Sequence, residues 1–222
     1  MELRFERFTI EREGFTLSLN EDFNERGIYL VAGANGSGKT TFMESALGLL
    51  VPASGTVSYD GKEASKLSPS EKKFYFSATF VNENPVQGFT VSDFLNMTTG
   101  RNITRAQFES AFPEFAGIFE RDITHLSAGQ WVSVLIAQNI LEESRAVFID
   151  EVMSFLDPHY KAVIAGYLKK ASKERAVFIV SHDLDFFSGF ADRYLILKKG
   201  TVLYKGPAGD YDIKKNIEEI YF

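Results

Sequence analysis

The segment GANGSGKT, from Gly33 to Thr40, has the residue types and the spacing of a loop that binds phosphate. It fits the pattern G-x-x-x-x-G-K-[ST], and it lies between a continuous apolar run and a segment with helical periodicity. Glycines let the backbone curl so that N–H groups point at phosphate oxygens, and the following helix adds its dipole. We expect Lys39 to reach the β- and γ-phosphates of a nucleotide and the Thr40 hydroxyl to bind Mg²⁺.

A pair of carboxylates, Asp150 and Glu151, ends the apolar run AVFID. The C-terminal ends of parallel strands form the ligand-binding edge of an α/β sheet, so this pair is expected beside the phosphate loop. Asp150 would hold Mg²⁺ directly or through water, and Glu151 would polarise an attacking water as a general base. Without the loop, the pair would more simply be the polar end of a strand.

Two further segments carry polar groups that could face a phosphate. IVSHD repeats the strand-end arrangement and places His182 where it could donate a hydrogen bond to a γ-phosphate. HLSAGQ contains Ser127 and Gln130 at the spacing of a capping box, which predicts the start of a helix. A helix N-terminus favours anions, yet no other candidate catalytic residue lies next to this one in the sequence.

The elements around these motifs alternate between strands and helices. LRFERFTI and FTLSL predict an antiparallel pair, whereas GIYLVAG, RAVFIDE and RAVFIVSHD predict strands buried on both faces. KTTFMESALGLL predicts a helix that ends near Pro52, GTVSYDG and EKKFYFSATFV each contain a strand, and RYLILKKGTVLYKG predicts a hairpin with Gly200 at its turn. We expect an α/β fold with a mostly parallel sheet.

Between residues 88 and 125 the pattern is helical, with Thr90 or Ser92 and Thr104 as candidate N-caps. We therefore expect a single domain over residues 1–222, with a short helical subdomain at approximately residues 88–125.

The composition limits the classes of function. The 222 residues are 45% hydrophobic and 24% charged, which suits one large globular domain. The net charge of −6 argues against nucleic acid as the main partner. The chain has no cysteine, so it has neither a disulfide framework nor a thiolate metal site. Its apolar runs are shorter than the roughly 18–20 residues that span a bilayer, and the charged N-terminal segment does not resemble a signal peptide.

The motifs together resemble the nucleotide-binding domains of ATP-binding cassette (ABC) proteins, in order and over nearly the whole chain. GANGSGKTT resembles the Walker A loop, AVFIDE resembles Walker B, SFLDP the D-loop and IVSHD the switch-histidine segment. HLSAGQ resembles the family signature LSGGQ, with Ala128 in place of the first glycine. The fold implied is a P-loop NTPase (RecA-like) core with an antiparallel N-terminal β subdomain and a helical subdomain.

The resemblance implies an ATPase that works as a dimer. Two such subunits, identical or different, would pack head to tail around two ATP molecules and drive a separate transmembrane permease from the cytoplasmic face of the membrane. Catalysis would rest on Glu151, His182 and Lys39, and Mg²⁺ on Thr40, Asp150 and Asn82. The residues implied to contact nucleotide are Gly33, Ala34, Asn35, Gly36, Ser37, Gly38, Lys39, Thr40, Thr41 and Phe15 in one subunit, and Ser127, Gly129, Gln130 and Asp157 at the interface.

Some positions depart from the family pattern. Asn82, or else Glu83, stands where the family has a glutamine that links Mg²⁺ to the membrane partner, and Val152 replaces a proline after the Walker B glutamate. The aromatic residue that stacks on adenine is Phe15 or Phe8. The segment FTVSDFLNM before Gly100 resembles importer ATPases for iron-siderophores, haem and cobalamin.

Other classes fit the sequence less well. A non-transport ABC ATPase acting on nucleic acid or ribosomes usually carries a coiled-coil insertion or a second cassette, and this chain has neither. A P-loop kinase or a GTPase does not account for HLSAGQ with IVSHD, and the base-binding motif N-K-x-D of GTPases is absent.

Overall fold

The computed structural model describes residues 1–12, 14–80 and 85–221. Within these ranges the chain forms two sheets with helices packed around them. The strands are β1 (Leu3–Arg12), β2 (Phe15–Phe23), β3 (Gly27–Ala32), β4 (Ser54–Tyr59), β5 (Lys62–Glu63), β6 (Phe76–Thr79), β7 (Ala146–Asp150), β8 (Ala176–Val180), β9 (Arg193–Lys198) and β10 (Thr201–Pro207). The helices are α1 (Lys39–Ala46), α2 (Pro69–Tyr75), α3 (Val91–Thr99), α4 (Arg105–Ala111), α5 (Ala128–Leu141), α6 (Pro158–Ala171), α7 (Leu184–Ser188) and α8 (Ile217–Tyr221).

The larger sheet has the strand order β10-β9-β3-β8-β7-β6. Its strands are parallel except for the β9–β10 hairpin. Every residue of β3, β7 and β8 is buried, because hydrophobic clusters cover both faces of the sheet. Along β3, Ile28 and Leu30 face one cluster while Tyr29 and Val31 face the other. The continuous apolar runs of the sequence therefore correspond to central strands, as predicted.

The smaller sheet is antiparallel, with the order β2-β1-β4-β5. A register shift lies between Phe5 and Phe8, where Arg7 has a φ of 45°. This bulge inserts one residue, so Phe8 points to the same interior as Phe5, and the two rings meet edge-on with centroids 5.4 Å apart. Gly55 packs against the bulge, since a Cβ there would lie 2.2 Å from the carbonyl oxygen of Arg7.

The structure has the predicted capping box at Ser127, and the N-cap candidates Thr104 and Thr90, the latter and not Ser92, also begin helices with capping boxes. In each box the side chain of the first residue accepts a hydrogen bond from the backbone N–H of the residue three positions later. The side chain of that later residue accepts a hydrogen bond from the backbone N–H of the first residue. Phe94 of α3 packs edge-on against Trp131 of α5, with ring centroids 5.0 Å apart. This contact holds the helical segment against the helix that begins at Ser127.

Two helices differ from the sequence-based expectation. The helix α1 ends at Ala46 instead of near Pro52, because Gly48 adopts a left-handed conformation and the amide of Leu49 closes the end on the carbonyl of Glu44 at 2.9 Å. The helix α2 was not predicted, although Ser68 forms a capping box with Glu71 and Pro69 occupies the first helical position.

No helix among the described residues is both long and apolar enough to cross a membrane.

A buried amide joins α5 to the sheet. Asn139 is fully buried, and its Nδ2 donates to the hydroxyl of Thr79 at the end of β6 and to the carbonyl of Leu135. The contact links the C-terminal part of α5, the helix that begins at Ser127, to the end of β6.

We expect Asn139→Ala to lower the free energy of unfolding by about 1–3 kcal/mol, because it removes a buried donor and leaves a void. Urea unfolding followed by the fluorescence of Trp131, the single tryptophan, measures this. Asn102→Ala, at an exposed loop position, is the control and should change stability little. Equal losses in the two variants would contradict a role for the buried amide.

Candidate functional site

The loop from Gly33 to Thr40 is shaped by glycines in conformations that other residues rarely adopt. Gly33 has a φ of 147°, and a Cβ there would lie 2.2 Å from the carbonyl oxygen of Leu197 in β9. Gly38 has a φ of 108°, and a Cβ there would lie 2.9 Å from the ring of Phe15. The motif glycines therefore let the loop approach its neighbours closely, in addition to exposing its N–H groups.

The turn of the β9–β10 hairpin supports this loop from behind. The amide of Gly200 donates to the carbonyl of Ser37 at 3.1 Å, and the carbonyl of Gly200 accepts from the amide of Ser18 in β2 at 2.8 Å. The sequence predicts Gly200 as a turn residue, but the contact between that turn and the loop depends on tertiary structure and was not predicted.

Lys39 lies along the inside of the loop. Its Nζ donates to the carbonyls of Gly33 at 2.9 Å and Ala34 at 3.0 Å, and the residue is only 6% exposed. Burial lowers the pKa of Lys39, while the nearby carboxylates of Glu151 and Asp150 oppose this shift. The ammonium is therefore held close to the loop, ready to exchange its carbonyl partners for phosphate oxygens.

Asp150 ends β7 beside this loop and is 7% exposed. The hydroxyl of Thr40 donates to its Oδ2 at 3.3 Å. Burial raises the pKa of Asp150, and the neighbouring charge of Glu151 raises it further, whereas Thr40 and Lys39 act in the opposite direction. The carboxylate is a desolvated oxygen donor next to a hydroxyl, an arrangement that a hard cation such as Mg²⁺ would stabilise.

Among the described residues, no group of three or more His, Asp and Glu side chains is placed to hold a metal ion on its own. Mg²⁺ commonly takes one or two protein oxygens, with the remaining ligands coming from phosphates and water. Thr40 and Asp150 fit that pattern. Asn82, the third predicted metal residue, lies outside the described residues, as does its alternative Glu83.

Glu151 and His182 form a pair at the ends of adjacent strands. Nε2 of His182 lies 2.8 Å from Oε1 of Glu151, which fits a hydrogen bond donated by the imidazole. Glu151 has a φ of 54°, in the left-handed region, and its amide donates to the carbonyl of Val180 in β8 at 3.1 Å. Both side chains are partly open to solvent. The backbone turn at Glu151 thus directs a carboxylate toward the histidine of the neighbouring strand.

The loop, Thr40 and Glu151 open onto one cleft of about 450 Å³, which Phe15 also lines. Phe15 is half-buried at the start of β2, whereas Phe8 is buried in the core because the β1 bulge turns it inward. Of the two candidates for the aromatic residue, only Phe15 lines the cleft. The other residues that line it are Gly14, Asn35, Gly36, Gly38, Lys39 and Thr41.

The residues of the segment HLSAGQ do not line this cleft. Ser127 caps α5 by accepting from the amide of Gln130 at 3.2 Å, and the Gln130 side chain accepts from the amide of Ser127 at 3.0 Å. Ser127 and Ala128 are exposed and Gly129 is half-buried. The methyl group of Ala128 therefore faces solvent, and the helix N-terminus is accessible to a ligand from outside the chain.

Asp157 begins α6 as its N-cap, with Oδ1 accepting from the amide of Tyr160 at 3.0 Å, and Pro158 follows at the first helical position. One turn further, Lys161 forms an ion pair of 2.7 Å with Asp183, the residue after His182. The sequence-based reasoning missed this pair, which fixes α6 to the loop that carries the histidine. The aspartate in SHD was the available signal.

Comparison with known proteins identifies the family of this chain. A family model described as ABC transporter matches residues 17–154. The chain belongs to the ABC transporter family. It is 30% identical over 207 residues to the energy-coupling factor transporter ATP-binding protein EcfA1 of Mycoplasmopsis synoviae, covering 88% of this chain and 77% of that protein. It is 28% identical over 202 residues to the thiamine import ATP-binding protein ThiQ of Vibrio vulnificus, covering 87% and 86%.

A solved structure of an ATP-binding subunit of an ABC transporter has the same fold, with a TM-score of 0.79 over 99% of this chain and 95% of that one at 21% identity. The predicted fold class is confirmed. The family also confirms the predicted activity: this chain is an ATP-binding, ATP-hydrolysing ABC transporter protein. A P-loop kinase or GTPase is thereby excluded.

The buried carboxylate of Asp150 should make the ligand-free protein less stable. The pKa of Asp150 is raised in the folded state. Protonation of this carboxyl therefore stabilises the folded protein fully below the ordinary pKa of aspartate, and the stabilisation is lost as the pH rises through the folded-state pKa. At neutral pH, Asp150→Asn should therefore raise the melting temperature measured in EDTA. The rise should be about 2–4 °C for each kcal/mol by which the substitution raises the free energy of unfolding.

The gain from Asp150→Asn should disappear as the pH falls below the ordinary pKa of aspartate, where the wild type is protonated as well. Asp210→Asn, at an exposed position, is the control. A variant less stable than the wild type at neutral pH would show that the carboxylate stabilises the ligand-free site.

Proposed function

We propose that this chain is the ATPase subunit of an ABC transporter in which two subunits close head to tail around two ATP molecules and drive a separate membrane permease. The main support is the separation of the site within one chain. The cleft at Lys39 would bind phosphate from one side, whereas the capped and exposed helix start at Ser127 does not line that cleft. A second copy would bring the two halves together.

In this proposal Phe15 stacks on adenine and the loop from Gly33 to Thr41 holds the phosphates. Phe15 is half-buried and lines the cleft, and the N-terminus of α1 points its N–H groups and its dipole toward the loop. Lys39 leaves the carbonyls of Gly33 and Ala34 and pairs with the β- and γ-phosphates. Burial lowers the pKa of Lys39, and the negative charge of the nucleotide would then act in the opposite direction and favour the charged form of this lysine.

Mg²⁺ would be held by Thr40 and Asp150, with Asn82 as the further ligand that the sequence predicts, and it would neutralise phosphate charge during hydrolysis. The hydrogen bond between Thr40 and Asp150 shows that their oxygens already lie side by side.

Glu151 would orient and deprotonate the water that attacks the γ-phosphorus. It opens onto the cleft and is held by His182 through the 2.8 Å contact. His182 would fix the carboxylate and donate to the γ-phosphate, so that the catalytic geometry forms only when that phosphate is present. Ion pairing of Lys161 with Asp183 keeps the histidine loop in place.

Across the dimer, Ser127, Gly129 and Gln130 of one subunit would contact the γ-phosphate held by the other. Asp157 would lie along the interface between the two sites. The exposed methyl group of Ala128 leaves the N–H groups of the helix start accessible, so the departure from the usual glycine is compatible with this role.

We assign the permease contact to Asn82 and to the helical segment at approximately residues 88–125, at the cytoplasmic face of the membrane. The names of the relatives, which refer to energy-coupling factor transport and thiamine import, support a transport role. Phe89 and Phe94 of this segment are half-buried and pack against the core.

Glu151→Gln tests the proposal. The variant loses the base but keeps the cleft and the signature helix, so we expect ATP binding with hydrolysis slowed by about 100-fold or more. With hydrolysis blocked, ATP should shift the protein from monomer to dimer in size-exclusion chromatography with light scattering.

The matched control for Glu151→Gln is Glu120→Gln at an exposed position, which should hydrolyse ATP normally and show no stable dimer. Normal turnover in Glu151→Gln would remove Glu151 as the base. A stalled enzyme that stays monomeric with ATP would contradict closure around nucleotide.

A further inference from the structure

A second cavity of about 440 Å³ lies at the edge of the parallel sheet opposite the nucleotide cleft. Arg145 and Arg175 line it and immediately precede β7 and β8, the strands whose far ends lead to Asp150 and His182. At the 3.3 Å rise of a strand residue, these five-residue strands separate the two sites by about 15 Å or more. The cavity is therefore distinct from the ATP site.

Half of the residues that line this cavity, which we call the basal cavity, are apolar or aromatic, and the other half are polar or charged. The apolar and aromatic part comes from α4, α5, α6 and the residue after α4, and is formed by Ala111, Phe112, Ile140, Leu141, Tyr167 and Ala171. The rings of Phe112 and Tyr167 meet with centroids 4.9 Å apart. Cavities of this size with such walls bind small organic molecules when a few polar groups fix the ligand's orientation.

The polar group that marks the basal cavity is the guanidinium of Arg175. The residue is 9% exposed, and among the described residues its side chain makes one hydrogen bond, a long one of 3.4 Å to the carbonyl of Ile140. A guanidinium has five N–H donors, so the others have no partner among the described residues and can bind a ligand that enters the cavity. Burial lowers the pKa of Arg175, while the carboxylates of Glu143 and Glu174 oppose this shift.

Neighbouring carboxylates compensate the charge of Arg175 only in part, since Glu143 and Glu174 oppose the lowering of its pKa without cancelling it. Glu143 lines the cavity, but its carboxylate is paired with Arg101 at 2.8 Å. Glu174 is exposed at the rim, where Lys170 adds a positive charge. Arg145 stacks over the ring of Phe74, with its guanidinium carbon 4.6 Å from the centroid. The interior thus combines one under-coordinated guanidinium with apolar and aromatic side chains.

We propose that the basal cavity binds an amphipathic organic anion, that is, a carboxylate or sulfonate attached to an aromatic or aliphatic body. The acid group would accept two parallel hydrogen bonds from Arg175, and the body would lie against Phe112 and Tyr167. The basal cavity is separate from the ATP cleft. If it does not bind such an anion, the proposed function as a transport ATPase is unaffected.

The test uses two fluorescent probes that differ in charge, 8-anilino-1-naphthalenesulfonate and the neutral N-phenyl-1-naphthylamine, with saturating ADP to fill the nucleotide cleft. The wild type should bind the sulfonate saturably at one site. Arg175→Met should weaken sulfonate binding by about tenfold, because the variant loses the charged hydrogen bonds to the sulfonate. The same substitution should change the affinity for the neutral probe by less than about threefold.

Two further variants separate the site from general effects. Ala111→Phe, at an exposed position on the cavity wall, should fill the basal cavity and exclude both probes while Arg175 stays intact. Arg26→Met removes an exposed arginine elsewhere and should bind both probes like the wild type. ATP hydrolysis and melting temperature verify that each variant is folded.

Three results would overturn the proposal: no saturable sulfonate binding to the wild type, undiminished binding to Ala111→Phe, or equal losses of both probes in a folded Arg175→Met. If Arg175→Met does not fold, the wild type and Ala111→Phe still decide the outcome.

Discussion

Two charges buried at the carboxyl edge of the parallel sheet, with a partly exposed third beside them, determine what the rest of the structure must do. Lys39 and Asp150 are each more than nine-tenths buried, and Glu151 adds a second carboxylate that is partly open to solvent. Burial lowers the pKa of Lys39 and raises the pKa of Asp150, which favours the neutral form of each group. In the proposed function, ATP with its cation would supply the missing charges. Phosphate and metal together would then complete the site.

The surrounding elements keep that cluster in place from three directions. The hairpin turn at Gly200 holds the phosphate loop against β2, and the bulge in β1 buries Phe8 while Phe15 remains at the cleft. The pair of Lys161 and Asp183 positions the histidine loop. None of these contacts joins neighbours in sequence. They join segments that are far apart in the sequence, through backbone hydrogen bonds at Gly200 and through the ion pair at Asp183, around the edge of the parallel sheet.

The motifs and the central strands could be predicted because their signals are local. Gly33 to Thr40 has a fixed spacing, and continuous apolar runs such as AVFID identify strands that are covered on both faces. The end of α1 just before Gly48 and the start of α2 at Pro69 also have local signals, a glycine and a capping box, but the apolar pattern of the surrounding sequence competes with them.

Other features depend on tertiary structure and had no local signal. The choice between Phe8 and Phe15 rests on a bulge that shifts the strand alternation by one residue. The contact of Glu151 with His182 depends on the left-handed backbone at Glu151 and on strand order. Arg175 precedes a strand in a run that predicts nothing unusual, and only the packing of three helix ends makes it a buried guanidinium beside a cavity.

The central claim is that the site around Lys39 is completed by the signature helix of a second chain. The absence of cysteine allows a direct test, since single cysteines can be introduced at the exposed positions Asn35 and Ala128 in the Glu151→Gln background. A short bis-maleimide cross-linker is added to each single-cysteine protein and to their mixture. We expect a covalent dimer of the two different single-cysteine chains, in high yield only in the mixture and only with ATP. Equal cross-linking with and without ATP, or none in the mixture when both cysteines are labelled readily, would contradict it.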